Sequence, residues 1–419
     1  MRERTVIVGG GAAGLMAAAT LAREAAWAEA GPVLVLERGA EPGRKILVSG
    51  GGRCNLTHQA APDEFLAAFP HGAARFLRPA VFDLSPMALR DWLAARGLRS
   101  VVEPDGCVFP AGNHSRDVLK VLLAALRGSS VELQTEVECR AVRAAAGRVV
   151  GVETTAGTIP ASRVILAAGG PAWPQAGGTH SGLDILAALG HTIVPPRPGL
   201  APLYTEPNWM QRLEGVSLTR VELMLENAPG RRKRSASGPV VFTRFGLSGP
   251  AALDLSLLVE KFPAAVALAL VPGKSAAEVE AELAQAAAER GQRRIDTHLA
   301  ELLPRSVVRE ALAALGIPAE TRLAQLRSSW RRDLAALLAA ARLRVARLGG
   351  WTEAMLAVGG CTLDEINSKT MESRLVRGLH VVGELLDIAG PTGGYNLHAA
   401  FATGRLAARA VARGSVPRT

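Results

Sequence analysis

Thr5-Val6-Ile7-Val8-Gly9-Gly10-Gly11-Ala12-Ala13-Gly14 opens the chain with four strand-forming residues that run into glycines spaced G-x-G-x-x-G. Leu15 to Arg23, rich in Ala and Leu, then reads as helix. Each glycine meets a separate steric demand. Gly9 makes the turn out of the strand, Gly11 lets backbone amides approach a diphosphate, and Gly14 lets the helix pack on the strand. An anion then sits at the helix N-terminus, over Ala12 and Ala13, where unpaired amides and the macrodipole both favour negative charge. Working outward, Pro32-Val33-Leu34-Val35-Leu36 is a second apolar strand. It ends at Glu37, about twenty residues past Gly14, where such folds place the carboxylate that accepts from a ribose hydroxyl. A carboxylate there also argues against a 2′-phosphate, because two anions would repel. The order strand, glycines, helix, strand, acid predicts an α/β chain built on a Rossmann-type domain.

At 419 residues the chain is too long for one typical core, and two or three domains are expected. Met1-Arg2-Glu3-Arg4 before an apolar run superficially resembles a signal peptide, but the triple glycine breaks that run, so it reads as mature sequence. No run approaches the ~18 apolar residues of a spanning helix, so a soluble, cytoplasmic protein with no membrane partner is expected. Cys54, Cys107, Cys139 and Cys361 are scattered without C-x-x-C or metal-like spacing. That favours reduced thiols, no metal, and no dithiol relay. The net charge of +10 is dominated by arginines spread along the chain. Their one dense cluster, Arg231-Arg232-Lys233-Arg234, reads as a solvated hairpin tip, so nucleic acid is not the expected partner.

Taken in order, Ser49-Gly50-Gly51-Gly52 before Arg53-Cys54-Asn55 makes a loop whose backbone can lie flat on a planar ligand or a second phosphate. Helices are expected at Asp63 to Phe69, Pro86 to Arg96, and Ser115 to Leu126 with Ser115 as N-cap. Val101-Val102-Glu103 and Cys107-Val108-Phe109-Pro110 form a hairpin around Pro104-Asp105-Gly106. Val131-Glu132-Leu133 leads to a strand Thr135-Glu136-Val137, and a meander runs from Ala141 to Ile159. Arg163 to Gly170 is an apolar strand delivering Ala168 and Gly169 to close approach. His180 lies in the following loop, before a helix from Leu183 to Leu189. At Pro195-Pro196-Arg197-Pro198 the composition shifts, which marks a domain crossing. Residues 196–272 alternate as strands, and 273–349 carry helical periodicity, including Trp330 to Leu343. A last strand, Gly378 to Val382, enters Gly383-Glu384, and Gly393-Gly394-Tyr395-Asn396 opens an Ala-rich helix.

The run Gly43 to Thr57 (G-R-K-I-L-V-S-G-G-G-R-C-N-L-T), after G-G-G-A-A-G-L, resembles the signature of a bacterial flavoprotein family. That family comprises aminoacetone-oxidase-type FAD-binding enzymes and relatives of the bile-acid-reducing flavoprotein, and its wider group resembles the flavoprotein subunit of fumarate reductase. Phe242 to Ala251 matches its F-T-x-x-G-x-S-G-P-A run, and Arg163 to Gly170 resembles the A-T-G-G strand of two-dinucleotide-binding-domain flavoproteins. The resemblance implies an FAD-binding domain of residues 1–195 and 350–419, with a β-rich module (196–272) and a helical module (273–349) inserted. It implies FAD contacts from Gly9, Gly11, Ala12, Ala13, Gly14, Glu37, Arg38, Lys45, Ser49, Gly51 and Gly52. Further contacts fall to Val137 (backbone, at the adenine), Ala168, Gly169, Gly383, Glu384 (ribityl hydroxyls), Gly393, Gly394, Tyr395 and Asn396. Arg53, Cys54, Asn55, His180 and Tyr395 are the catalytic candidates. The implied activity passes a hydride through FAD between a small organic substrate and NAD(P)H or dioxygen. No second G-x-G-x-x-G unit gives a nicotinamide its own domain. A flavin-dependent RNA-modifying or RNA-binding protein and a flavin sensor without turnover stay open, as do substrate and oligomeric state.

Overall fold

A computed structural model describes residues 4–23, 32–226 and 234–414. The hairpin expected at Arg231-Arg232-Lys233 therefore lies outside the described residues. The chain divides into two units, Met1–Arg197 with Met355–Thr419, and Pro198–Ala354.

The first unit begins with β1 (Thr5–Val8), buried on both faces as a central parallel strand must be. Helix α1 (Ala12–Leu21) starts three residues before the expected Leu15, because the glycine turn itself supplies its first turn. After β2 (Val33–Leu36) comes a short helix α2 (Arg44–Val48), and Ser49–Gly52 closes as a 3₁₀ turn with Gly50 and Gly51 left-handed. Next are β3 (Thr57–His58), α3 (Pro62–Ala67), α4 (His71–Asp83) and α5 (Pro86–Ala94). Pro79 sits inside α4, and that breaker hid the helix from sequence reading. The expected hairpin is β4 (Ser100–Val102) and β5 (Cys107–Pro110), with Val101 opposite Phe109.

In α6 (Ser115–Ala124) the N-cap is His114, not Ser115. The Ser115 hydroxyl instead donates to the Leu47 carbonyl at 2.9 Å and ties α6 to α2. Strand β6 (Val131–Gln134) stops short of the expected Thr135–Val137, since Glu136 turns the chain at φ +59°. The meander is β7 (Cys139–Ala145), β8 (Arg148–Thr154) and β9 (Gly157–Pro160). Then follow β10 (Arg163–Leu166), α7 (Ser181–Ala188) and β11 (Ile193–Gly199).

The second unit is built on six strands: β12 (Leu203–Thr205), β13 (Ser217–Leu225), β14 (Arg234–Thr243), β15 (Gly246–Ser248), β16 (Ala264–Ala269) and β17 (Ala341–Leu348). They close a barrel in the order β12-β15-β14-β13-β16-β17. Its helices are α8 (Pro250–Ser256), α9 (Ala276–Glu289), α10 (Ile295–Leu299), α11 (Arg305–Ala314) and α12 (Ser328–Ala340). Phe242, Leu223 and Val345 of the strands share one core with Leu283, Val307 and Leu334 of the helices. The helix read to Leu343 ends at Ala340, and β17 completes the barrel with Leu343 and Val345 inward and Arg342 and Arg344 outward. Within the span of helical periodicity, residues 321–326 hold only a 3₁₀ turn at Leu323–Gln325.

The chain returns to the first unit through β18 (Leu356–Cys361), β19 (Leu379–Val381) and α13 (Tyr395–Arg413). Strand β18 pairs with β11, and the parallel sheet runs β19-β10-β1-β2-β6, so both ends of the sequence share it. No helix among the described residues is long and apolar enough to cross a membrane.

Candidate functional site

At the turn from β1 to α1 a Cβ on Gly14 would stand 1.9 Å from the Gly9 carbonyl oxygen, and one on Gly9 2.4 Å from that of Ala167. At Gly11 it would meet nothing within 4 Å. Gly9 and Gly14 are therefore packing glycines, while Gly11 borders open space. Helix α1 has no side-chain cap and no acid in its first turn, so the amides of Ala12, Ala13 and Gly14 remain available to an anion. Glu37, just past β2, accepts the Gly10 amide at 2.8 Å on one oxygen and the Gly39 amide at 2.7 Å on the other. Each oxygen keeps acceptor capacity for a ligand hydroxyl. The Val137 amide donates to the Glu37 carbonyl at 3.0 Å, and Arg38 lies 3.8 Å from Glu138 and donates to Gly177 O.

A second glycine turn and a second acid come from the other end of the sequence. Glu384, just past β19, receives Lys45 Nζ at 2.9 Å and the Gly170 amide at 3.2 Å on one oxygen, and the Ala357 amide at 3.0 Å on the other. Of the roughly four acceptor positions of a carboxylate, three are taken by protein. Gly169 lies beside this pair: a Cβ there would be 3.9 Å from Lys45 Nζ. Gly393 and Gly394 turn into α13 at φ +105° and +92°, and a Cβ on Gly394 would strike the Thr57 backbone at 2.6 Å. Like α1, α13 starts with no side-chain cap and no acid. The Asn396 side chain is spent on holding the loop, donating to the Gly390 and Pro391 carbonyls and accepting the Gly390 amide. Gly51, with nothing within 4 Å of its Cβ position, and Gly52 face open space, and the Ser49 hydroxyl donates to the Ile46 carbonyl. Gly383 donates its amide to Thr403 Oγ1 at 3.1 Å.

The catalytic candidates differ in their surroundings. Tyr395, first residue of α13, stacks on His58 (4.9 Å between ring centres, 20° between planes) and against Phe65. His58 Nδ1 is buried without a partner. His58 is a candidate that sequence reading did not single out, although it sits directly after the R-C-N-L-T run. Arg53 pairs with Glu103, donates to Asn113 Oδ1 at 3.1 Å and lies 3.9 Å over the Phe109 ring. With its amide oxygen and nitrogen exchanged, the orientation its surroundings favour, Asn55 donates to the Val108 and Thr57 carbonyls at 3.3 and 3.1 Å. Cys54 is a correction. Its 0% exposure leaves no surface to touch a ligand, and burial pushes its thiol up to about 12, which weighs against a role as nucleophile or acid. His180 is exposed at the start of α7, whose Gly182 packs on Ala168 and Leu385.

One cluster has metal-like composition: His191, Cys361 and Glu365 bring three ligand atoms within 4.8 Å of one another. Ser373 Oγ accepts the Leu375 and Val376 amides, so its proton goes to His191 Nε2 at 3.0 Å. Nδ1 then carries the ring proton, donated to Glu365 at 2.9 Å, and has no lone pair for an ion.

A family model described as HI0933-like protein Rossmann domain matches residues 3–410. The chain is 30% identical to the 3-dehydro-bile acid delta(4,6)-reductase of Clostridium scindens, over 98% of this chain and 99% of that protein. It is 29% identical to the ribosomal RNA dihydrouridine synthase of Escherichia coli, over 96% of each. Among solved structures, the 3-ketosteroid delta1-dehydrogenase of Sterolibacterium denitrificans matches with a TM-score of 0.50 at 14% identity, covering 98% of this chain and 99% of that one. Likeness at that identity speaks for the fold alone.

Proposed function

The chain belongs to the family of HI0933-like proteins, and from that premise we propose that it is an FAD-dependent reductase of carbon–carbon double bonds conjugated to a carbonyl. The observation that carries the FAD assignment is the pair of uncapped helix N-termini, α1 and α13, each behind a glycine turn and each in the unit whose parallel sheet delivers Glu37 and Glu384. The α1 amides would hold the diphosphate and Glu37 the adenosine ribose. The remaining acceptor position of Glu384 suits the ribityl chain, and the α13 amides favour negative charge at the pyrimidine edge. Open space at Gly11 and Gly51 fits such a ligand. Bound FAD supplies a hydride from N5, and NAD(P)H is the proposed source of that hydride, with dioxygen as a competing acceptor.

The bond class rests on the two relatives' names. A 3-oxo Δ4,6 steroid acid and the uracil ring of uridine share little except an alkene whose electrons can move onto a carbonyl oxygen as hydride arrives. Tyr395 and His58 are the groups proposed to supply the proton. Anaerobic mixing tests the reading: NADH or NADPH bleaches the visible flavin band, and a 3-oxo-4,6-diene restores it with one carbon–carbon double bond lost per flavin reoxidised. A protein that stays colourless after FAD addition rules out the cofactor. One that is reduced yet ignores conjugated alkenes rules out the substrate class.

A further inference from the structure

Strand β4 (Ser100–Val102) is the edge of a small sheet in the first unit. That sheet runs β3-β5-β4, so among the described residues β4 is paired on one side alone. The Arg99 carbonyl accepts the Ala111 amide at 2.9 Å, and the Glu103 amide donates to the Cys107 carbonyl at 2.8 Å. Residues 99, 101 and 103 therefore turn their peptide groups toward β5, and those of Ser100 and Val102 point away from the sheet. Such edges are usually guarded by a lysine, a proline or a bulge. Ser100–Val102 has none of these. Successive side chains of a strand take opposite faces, yet Val101 is 43% exposed and Val102 41%, so the edge is open on both.

The two ends of this edge carry opposite charge. Before β4, Gly97, Leu98 and Arg99 line an open cleft of about 440 Å³ together with Gly112 and Lys120. Lys120 is held by Asp117 at 3.2 Å, whereas Arg99 forms no ion pair among the described residues. After β4, Glu103-Pro104-Asp105 is an acidic turn with Pro104 and Asp105 exposed, and one Asp105 oxygen accepts the Cys107 amide at 3.0 Å. A strand with a cationic cleft at one end and an acidic turn at the other is complementary to itself when reversed.

We propose that two copies of this chain pair antiparallel along β4, about a two-fold axis at Val101. In that register Ser100 lies opposite the partner's Val102, which bonds every outward amide and carbonyl of these two residues to the other copy. Val101 meets the partner's Val101, and Arg99 stands opposite the partner's Glu103 on the same face. The next positions carry the partner's Pro104 and Asp105 past Leu98 and Gly97, into the cleft. Sliding the register two residues one way leaves Arg99 facing a valine; the other way puts Pro104, which has no amide, at a bonding position. A short strand pair alone is smaller than a stable interface, and the two clefts supply the rest. Each contact occurs twice and the association closes at two copies. This goes beyond the reductase reading and does not rest on it, since no cofactor enters the contact.

Sedimentation velocity of the full-length chain over a dilution series is the test, and the wild type is expected to pass from dimer to monomer as it is diluted. Arg99→Glu and Glu103→Arg each set like charges against each other twice and weaken the dimer at least about tenfold. Mixed in equal amounts the two variants restore it, because each meets its opposite in the other chain. Glu103 also pairs with Arg53 of its own chain, so a third variant avoids it. Val102→Pro deletes an amide that points away from β5, and is expected to give a monomer with an unchanged melting temperature. Should that variant unfold, the mixing of the two charge variants decides. The dimer is overturned if the wild type stays monomeric at the highest concentration, or if folded Val102→Pro or the single charge variants dimerise like wild type. It is equally overturned if the folded charge variants, monomeric apart, stay so when mixed.

Discussion

His398 is a base held neutral by its surroundings. It is fully buried beside Phe65, its Nε2 hydrogen faces the Leu84 carbonyl at 2.8 Å, and burial pushes its imidazole down to about 4 from 6.5. Between those values the unfolded chain takes up a proton that the folded protein refuses. Stability is therefore complete above 6.5 and falls as pH drops toward 4. From pH 7 to pH 5 the loss from this one group is about 2 kcal/mol. Denaturant midpoints of wild type and His398→Gln at the two pH values check this. The variant flattens most of the slope, and His380, also buried and pushed down, keeps part of it. A variant as steep as wild type would assign the slope elsewhere. At this scale the sequence was legible where chemistry follows from local order: Glu37 and Glu384 each come straight off a strand. It was not legible where a side chain's fate depends on what packs over it. Cys54 was a catalytic candidate and is buried, while His58 was not singled out and stacks on Tyr395.

Between elements, one contact exposed to a single methyl group is that of α13 with α1. Gly404 lies where a Cβ would stand 2.2 Å from the Ala13 carbonyl oxygen, a backbone atom that cannot swing aside. On the far side Asp83 of α4 holds Arg405 and Arg409, so α13 has no room to retreat. Gly404→Ala therefore displaces the first turn of α1, where the diphosphate is proposed to lie. It is expected to cost about 2 kcal/mol in stability and to lower FAD affinity by about tenfold, read by thermal melts and flavin fluorescence titration. Normal FAD binding in a destabilised variant would detach that turn from the cofactor. The helix itself was plain from its Ala-rich run, but its partner was not, since a glycine inside such a run gives no sign of which backbone it lets approach. The same limit hid β17. Trp330 to Leu343 keeps helical spacing without a stop signal, and only the barrel's need for a sixth strand ends α12 at Ala340. In Phe242 to Ala251 the motif was visible, yet the stacking of Phe245 on Tyr204 was not, because Tyr204 arrives from a different strand.

At the scale of the molecule, two cores without a shared residue lie on a chain whose ends meet in one sheet. Every residue proposed to hold FAD belongs to the first unit, on both sides of the inserted second one. The two crossings are already neighbours: β11 leaves and β18 returns as paired strands, and the Thr362 amide donates to the Thr192 carbonyl at 3.1 Å. Bridging that gap takes only a short loop, and the entropy of closing a loop grows slowly with its length. Residues 198–354 should therefore be removable, with a few Gly and Ser residues joining Arg197 to Met355. The shortened chain is expected to fold, to elute as a discrete species on gel filtration and to hold FAD with its visible band, because β19 still closes the sheet and α13 still packs on α1. The excised barrel, expressed alone, is expected to fold without colour. A shortened chain that folds and stays colourless would mean the cofactor needs residues from the second unit, and the FAD site would have to be redrawn to include them.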